Sequence, residues 1–540
     1  MELNNQSIQD REQWSAKGYY IADFNRAAIV EKTAEKPIWV HFGDGNIFRA
    51  FIAMLQQNLI EKGIADRGII VAEGYDYEII DKVDRKNDSL SILVTLKNNG
   101  QVSKTVVSSI TESLKLARDS EDFNRLKKIF SEDSLQLVSF TITEKGYSLK
   151  DKNGKILPGI EIDFQKGPRN SSSYIGKITS LCYERYLNNK GPLALVSTDN
   201  CSENGKKLKE AVSTFAYKWY ENGLVPKEFY EYINDGSKIS FPWTMIDKIT
   251  PRPSEEIEDI LRKDEIDNTE IIKTSKNTFI SNFVNSEEAE YLVIEDDFPN
   301  GRPKLEKAGV IFTSREQVTK VEKMKVGTCL NPVHTALAIF GCLLSYKTIH
   351  EEMADDDLKR FVENMVFKES IKVVEASEII DPKDFVNDVL YNRLPNPFIP
   401  DTPQRIATDT SKKIGIRFGG TIKAYCSSKE LAVKELEYIP FVIAAWCRYL
   451  LGINDQGERF EISPDPMIES LCAELKSVSL GMNEEATRHI KPILSNTDIF
   501  EIDLYEIGLG EKIERYFIEL IKEKGQVRKM LEEVVRDNDK

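Results

Sequence analysis

The chain has 540 residues, of which 41% are hydrophobic and 30% charged, the balance of a globular protein with room for two large domains or a few smaller ones. Its 73 Lys and Arg against 88 Asp and Glu leave a net charge of −15, which argues against a nucleic-acid binder, because that class needs a broad basic face. The same composition excludes disordered and fibrous classes, and it means that any anionic ligand is caught by a local basic cluster.

Met1–Trp14 is polar and acidic, without the basic start and apolar core of a signal peptide, so a cytoplasmic location is expected. After a polar lead up to Lys36, Pro37 to Phe42 reads as a buried strand. Gly43-Asp44-Gly45-Asn46 then reads as a turn, Ile47 to about Lys62 as a helix, and Gly68 to Ala72 as a second strand, which together make one βαβ unit. Leu90–Leu96, Gln136–Thr143 and Leu193–Thr198 follow as strands, with amphipathic helices over Ser120–Phe130 and Gly205–Asn222. Residues 1–300 are therefore expected to form an α/β domain of the Rossmann type with an N-terminal extension.

From residue 301 to 540 the pattern turns helical, over Pro332–Tyr346, Ala354–Val366, Ala432–Leu451, Asp465–Leu475 and Gly510–Asp537. The Pro- and Asn-rich stretch Arg393–Pro403 interrupts it with a long loop, a kind that often carries function. The longest strongly apolar run, Tyr438–Ile453, is shorter than the ~20 residues of a membrane span and carries Arg448, so it reads as a buried helix and no membrane contact is expected. The seven cysteines include no C-x-x-C pair and no two of the four histidines stand at H-x-x-x-H spacing, which argues against a disulfide framework and against a metal site.

Two groups of residues carry chemistry. The first is Gly43-Asp44-Gly45 between strand and helix, where glycines let the backbone approach a pyrophosphate and the helix N-terminus offers unpaired N–H groups. Phe48 stands where the third glycine of G-x-G-x-x-G would be, and Arg49 follows as a phosphate contact. Glu73, at the end of the second strand, or Asp76 would hold the ribose hydroxyls, and a carboxylate there repels a 2′-phosphate and favours NAD over NADP. A plain turn binding no nucleotide fits the glycines equally well.

The second group is Val321 to His334 with the helix that follows. Asn331-Pro332 reads as an N-cap and a first-turn proline, with His334 on the same turn and Lys325 on the segment leading in. A lysine whose pKa is lowered by desolvation can take the hydroxyl proton in an alcohol oxidation without a metal, while an amide and an imidazole steady the developing alkoxide. Taken singly, these three side chains also fit a cap, a solvated charge and a polar helix residue.

Several motifs in series run along nearly the whole chain: His41-Phe-Gly-Asp-Gly-Asn-Ile-Phe-Arg49, Thr141-Ile-Thr-Glu-Lys-Gly-Tyr147, Ser197-Thr-Asp-Asn200 with Asn204-Gly205, Phe241 to Pro251, and Val293 to Pro303. In this series the chain resembles the long-chain polyol and uronate dehydrogenases, the mannitol dehydrogenase family. The resemblance implies a Rossmann-type domain, a helical C-terminal domain, a catalytic site between them, and NAD as the cofactor with no metal. It puts the catalytic lysine on Lys325, a glutamate lining a proton path on Glu322, the oxyanion pair on Asn331 and His334, and substrate contacts on Asn200, Asp247 and Arg393. It adds Asn46, Thr143 and Glu144 to the cofactor contacts.

The sequence departs from the family at one spacing. Many members separate lysine and asparagine by five positions in a motif ending Asn-Gly-Ser-His, whereas six separate Lys325 from Asn331 here, in Asn331-Pro-Val-His334. One extra residue in a helix turns a side chain by ~100°, so it must be absorbed within Val326–Cys329, where Gly327 gives freedom. Lys323 is the alternative base, and Lys412 is a candidate for a further substrate lysine. The implied reaction interconverts a keto sugar acid and its secondary alcohol, D-fructuronate and D-mannonate first, with fructose and mannitol or tagaturonate as alternatives. A nucleotide-binding protein that has lost catalysis is the reading from another class. The expected partner is a small sugar acid or polyol, and the expected state is a monomer or weak homo-oligomer.

Overall fold

The computed structural model describes residues 1–537 apart from 152, 376 and 400. The chain divides into two compact units, the first made of residues 1–97 and 101–319 and the second of 98–100 and 320–540. The changeover falls beyond the expected 300/301 because Ile311–Thr313 still pairs with Tyr291–Glu295 as the outer strand of a three-stranded sheet in the first unit.

The first unit is built on six parallel strands: β1 (Trp39–Phe42), β2 (Ile69–Glu73), β3 (Ile110–Lys115), β4 (Leu137–Phe140), β5 (Leu193–Ser197) and β6 (Ile239–Ser240). Their order is β3-β2-β1-β4-β5-β6, the doubly wound order of dinucleotide-binding sheets, with its topological switch between β1 and β4. β1, β2, β4 and β5 are mostly apolar and buried throughout because both faces are covered. Val40, Phe42, Ile70, Val138 and Leu195 pack on one side, and Trp39, Ile69, Val71, Leu137 and Val196 on the other.

Helices α1 (Glu121–Phe130), α2 (Tyr174–Leu187) and α3 (Asn204–Glu221) cover the first of these faces. α1 starts where the Ser120 hydroxyl accepts the Phe123 N–H at 3.1 Å, and it has Glu121 and Asp122 in its first turn and Lys127 and Lys128 in its last, which suits the helix dipole.

The polar lead forms helices Arg11–Ala16 and Arg26–Glu35 and the strand Tyr19–Ile21. That strand joins Val102–Val107, Ser91–Leu96 and Phe283–Glu287 in a separate mixed sheet, so the strand expected at Leu90–Leu96 lies outside the parallel sheet.

The second unit is helical. Tyr438–Tyr449 is buried throughout, and Arg448 within it donates to the carbonyls of Ile453, Asn454 and Leu520, so the apolar run is a core helix. Its start is set by Glu369, whose carboxylate accepts the N–H groups of Glu437, Tyr438 and Ile439. Residues 432–437 accordingly stay outside the helix.

The helical run Arg315–Leu344 contains a π-turn at Lys325–Cys329, with the Leu330 N–H bonded back to the Lys325 carbonyl at 3.2 Å, and then α4 (Asn331–Leu344). Asn331 is therefore inside a helix, not its cap: the preceding turn already supplies the carbonyls that a cap would replace. Further π-turns lie at Met365–Glu369, Val389–Arg393 and Gly415–Gly419 in this unit, and at Phe48–Ile52 in the first.

Candidate functional site

A crevice of about 740 Å³ opens in the first unit around the turns that follow β1, β2 and β4, the place where doubly wound sheets take their ligands. Gly43 has φ +104°, and a Cβ there would lie 2.3 Å from the Thr141 carbonyl oxygen, so only glycine lets these two turns meet. A Cβ on Gly45 would meet nothing within 4 Å, which leaves its backbone open to a phosphate. Asn46 opens the helix that follows and donates to the Pro251 carbonyl at 3.1 Å. These are the features a pyrophosphate needs, so the residues present fit a dinucleotide.

The turn is held from below. His41 is fully buried between the Ser139 hydroxyl (2.6 Å) and the Thr141 hydroxyl (2.8 Å) and stacks on Phe48. Trp39 Nε1 donates to Ser139 at 2.7 Å, and Thr141 donates to the Gly43 carbonyl at 3.3 Å. Donors and acceptors match if Ser139 donates to Nδ1 and Nε2–H donates to Thr141, an assignment made from the network. Burial drives the His41 pKa down to about 3, so the ring is neutral and structural.

Glu73 staples two turns together: its carboxylate accepts the Asp44 N–H at 2.9 Å and the N–H groups of Tyr75 and Asp76. Asp76 accepts from Thr274 at 2.5 Å and also from Thr278. Both carboxylates line the crevice, as do Gly43, Gly45, Asn46, Arg49 and Thr143. Arg49 lies under the turn, donating to the Ser281 carbonyl at 2.8 Å, with its Nε 3.9 Å from Asp44. Burial and the neighbouring Asp84 raise the Asp44 pKa, as for two carboxyls sharing one proton. Glu144 is the exception among the expected cofactor contacts. It does not line the crevice and pairs with Lys207 at 2.7 Å.

Sequence reasoning missed Asp199 and Tyr174. Asp199 accepts from the N–H groups of Ile142 and Thr143 and from Tyr147, fixing the turn after β4. The Tyr174 hydroxyl is buried without a hydrogen-bond partner among the described residues, and the residue lines the crevice. Asn200 is exposed at the end of β5, and Asp247 is buried at the end of the strand Thr244–Asp247. Beside them Asn204 bonds to Asp199, Gly205 and Thr244 and knots β5, α3 and the Phe241–Thr244 segment together. That explains why these motifs occur as a set.

In the second unit Lys325 is 3% exposed whereas Lys323 faces solvent, so of the two lysines it is Lys325 that is withdrawn from water. Glu322 lies one turn earlier on the same face. The extra residue between Lys325 and Asn331 sits in the π-turn, inside the segment expected to absorb it. Asn331 and His334 are half-buried on the first turn of α4, and His334 Nε2 lies 3.3 Å from Asp401, which also pairs with Arg405. Arg393 is 2% exposed at the end of its π-turn, and Lys412 is exposed.

Two family models cover the chain: the mannitol dehydrogenase Rossmann domain over residues 37–307 and the mannitol dehydrogenase C-terminal domain over 317–520. A D-mannonate oxidoreductase of Thermotoga maritima is 51% identical over 541 residues, 100% of both chains. A mannitol 2-dehydrogenase of Emericella nidulans is 29% identical over 86% of each chain. Among solved structures, Pseudomonas fluorescens mannitol 2-dehydrogenase in a ternary complex with NAD and D-mannitol superposes with a TM-score of 0.70 at 26% identity, covering 99% of this chain and 100% of that one. A substrate-free D-sorbitol dehydrogenase gives 0.78 at 23% identity over 96% and 97% and shows the shared fold. With its doubly wound sheet, its ordered motifs and matches that run the length of both units, the chain belongs to the mannitol dehydrogenase family.

Proposed function

We propose that the protein is an NAD-dependent oxidoreductase that interconverts a keto sugar acid and its secondary alcohol, D-fructuronate and D-mannonate. The observation that carries this reading is the 51% identity, without a missing segment on either side, to a D-mannonate oxidoreductase. The bound nicotinamide supplies or accepts the hydride. The crevice with open Gly45 and the carboxylates of Glu73 and Asp76 suits NAD, since two acids are poor neighbours for a 2′-phosphate.

Lys325 exchanges the hydroxyl proton, and its 3% exposure keeps that exchange out of bulk water. Glu322 passes the proton to solvent. Asn331 and His334 donate to the oxygen on which charge develops, and Asp401 holds the His334 ring in place. Asn200, Asp247 and Arg393 contact the substrate. The mannitol 2-dehydrogenase relatives at 29% identity favour a second reading, with fructose and mannitol as substrates.

Steady-state rates with NADH and D-fructuronate, D-tagaturonate or D-fructose, and with NAD and D-mannonate or D-mannitol, decide between them. The highest kcat/KM is expected for D-fructuronate in reduction and D-mannonate in oxidation. A higher value for fructose or mannitol overturns the sugar-acid reading in favour of the polyol one.

A further inference from the structure

Arg417 is a partly dehydrated guanidinium that, among the described residues, pairs with no carboxylate. It sits on the π-turn Gly415–Gly419, which packs against the π-turn Lys325–Cys329: a Cβ on Gly327 would lie 3.9 Å from the Ile416 carbonyl oxygen. Its Nη1 donates to the Thr335 hydroxyl, and that hydroxyl donates at 2.8 Å to the Asn331 carbonyl. Asn331, His334 and Thr335 stand at i, i+3 and i+4 on α4 and share one face. Arg417 therefore lies over the face that presents Asn331 and His334.

Several other arginines are more fully engaged, Arg405 among them although it is exposed. Arg185 and Arg448 each donate to several backbone carbonyls, and Arg405 pairs with Asp401. Arg393 is already engaged within the protein. Arg417 makes one hydrogen bond and, among the described residues, no ion pair with a carboxylate. Burial lowers its pKa to about 10, which leaves it charged at neutral pH. Lys413, one turn earlier, bonds to the Thr408 carbonyl at 2.6 Å, and its pKa is lowered first by burial and then by the charges of Arg417 and Arg405. Asp409 and Asp465 lie close enough to Lys413 to offset part of that repulsion. In a protein of net charge −15, a guanidinium without an ion pair, with a second cation one turn away and beside a candidate catalytic face, marks a place for an anion.

We propose that Arg417, with Lys413 beside it, is the subsite that receives the carboxylate of the sugar acid and so separates acids from polyols. This rests on the sugar-acid reading above. The lengths agree. Thr335 lies four residues, ~6 Å along the axis, beyond Asn331, and in D-fructuronate the carboxylate carbon is four bonds from the keto carbon, ~5 Å when extended. With one N–H on Thr335, the remaining fork of the guanidinium can take both carboxylate oxygens.

The test compares wild type with Arg417→Met and Arg417→Lys, using the full chain, NADH, and D-fructuronate or D-fructose as substrate. Arg417→Met should lower the ratio of kcat/KM for D-fructuronate to that for D-fructose by ~10–100-fold, chiefly through KM. Arg417→Lys, which keeps the charge but loses the fork, should fall between it and wild type. Added guanidinium ion should recover part of the loss in the Met variant. If wild type reduces D-fructuronate and both variants, with wild-type melting curves, keep the ratio within ~2-fold, the subsite is wrong and the proposed function stands. If wild type does not reduce D-fructuronate, the proposed function fails and the subsite falls with it. Should Arg417→Met not fold, an unchanged ratio in a folded Arg417→Lys with no increase in KM still overturns the subsite.

Discussion

Replacing His41 by glutamine should flatten the acid limb of the stability curve of the first unit. In the unfolded chain an imidazole titrates near 6.5, and in the folded protein burial holds His41 down to about 3. Above pH 6.5 both forms are neutral and nothing is lost. Below it the unfolded chain takes up a proton that the folded chain refuses, so the contribution of this side chain drains away as the pH falls from 6.5 toward 3. At ~1.36 kcal/mol per pH unit the full loss is about 5 kcal/mol, of which about 2 kcal/mol is gone by pH 5. Glutamine can still donate to Thr141 and accept from Ser139 but does not titrate. Urea unfolding at half-unit pH steps between 4.5 and 7.5, followed by tryptophan emission, reports chiefly this unit, because Trp14, Trp39, Trp219 and Trp243 lie in it and only Trp446 does not. Carboxylates contribute equally to both proteins, so the difference between the curves isolates His41. If wild type and His41→Gln lose stability in parallel across that range, the ring is not held neutral by its surroundings and the reasoning is wrong.

Three further outcomes are expected. Lys325→Ala should lower kcat by ~10²–10⁴-fold with the Kd for NADH, read by fluorescence titration, changed less than ~3-fold, and EDTA should leave wild-type activity unaltered. NADH should be preferred to NADPH in kcat/KM, with Asp76→Ser narrowing the preference. Glu73→Ser should instead weaken both nucleotides together, because its carboxylate carries three backbone N–H groups of the crevice. Asp44→Asn should raise Tm more at pH 8 than at pH 4 in a thermal melt. A carboxyl whose folded pKa is raised contributes fully below its ordinary value and loses that contribution as the pH climbs through the raised one, and asparagine never pays that ionisation cost.

The strands that reach the crevice were legible because β1, β2, β4 and β5 are buried on both faces and appear as short, mostly apolar runs. β3 was not, since it is an edge strand whose Thr111, Glu112 and Ser113 are half-buried, and three polar residues in a row look like a loop. The helix expected from Ala432 begins instead at Tyr438 because its cap comes from Glu369, far away in the chain, and no local pattern announces it. The Gly43–Gly45 turn could be read from its glycines, but the use of Glu73 as a staple could not, because it depends on how the turns after β1 and β2 approach each other. Likewise the extra residue before Asn331 could be located by counting, whereas its form, a π-turn and not a cap, follows from the unbroken carbonyl supply of the helix before it.

Arg49, Lys325, Arg393 and Arg417 each lie within a π-turn. A helix with one surplus residue has neighbouring registers of similar energy, reached by passing the bulge along by one position. Each passage swings the side chain it crosses by ~100° and advances it by ~1.5 Å, with the rest of the helix left paired. The cations at these places thus have a rotary adjustment that an ordinary α-turn lacks. The amides there should also exchange hydrogen ahead of the turns on either side, because opening one wide turn unseats few neighbours.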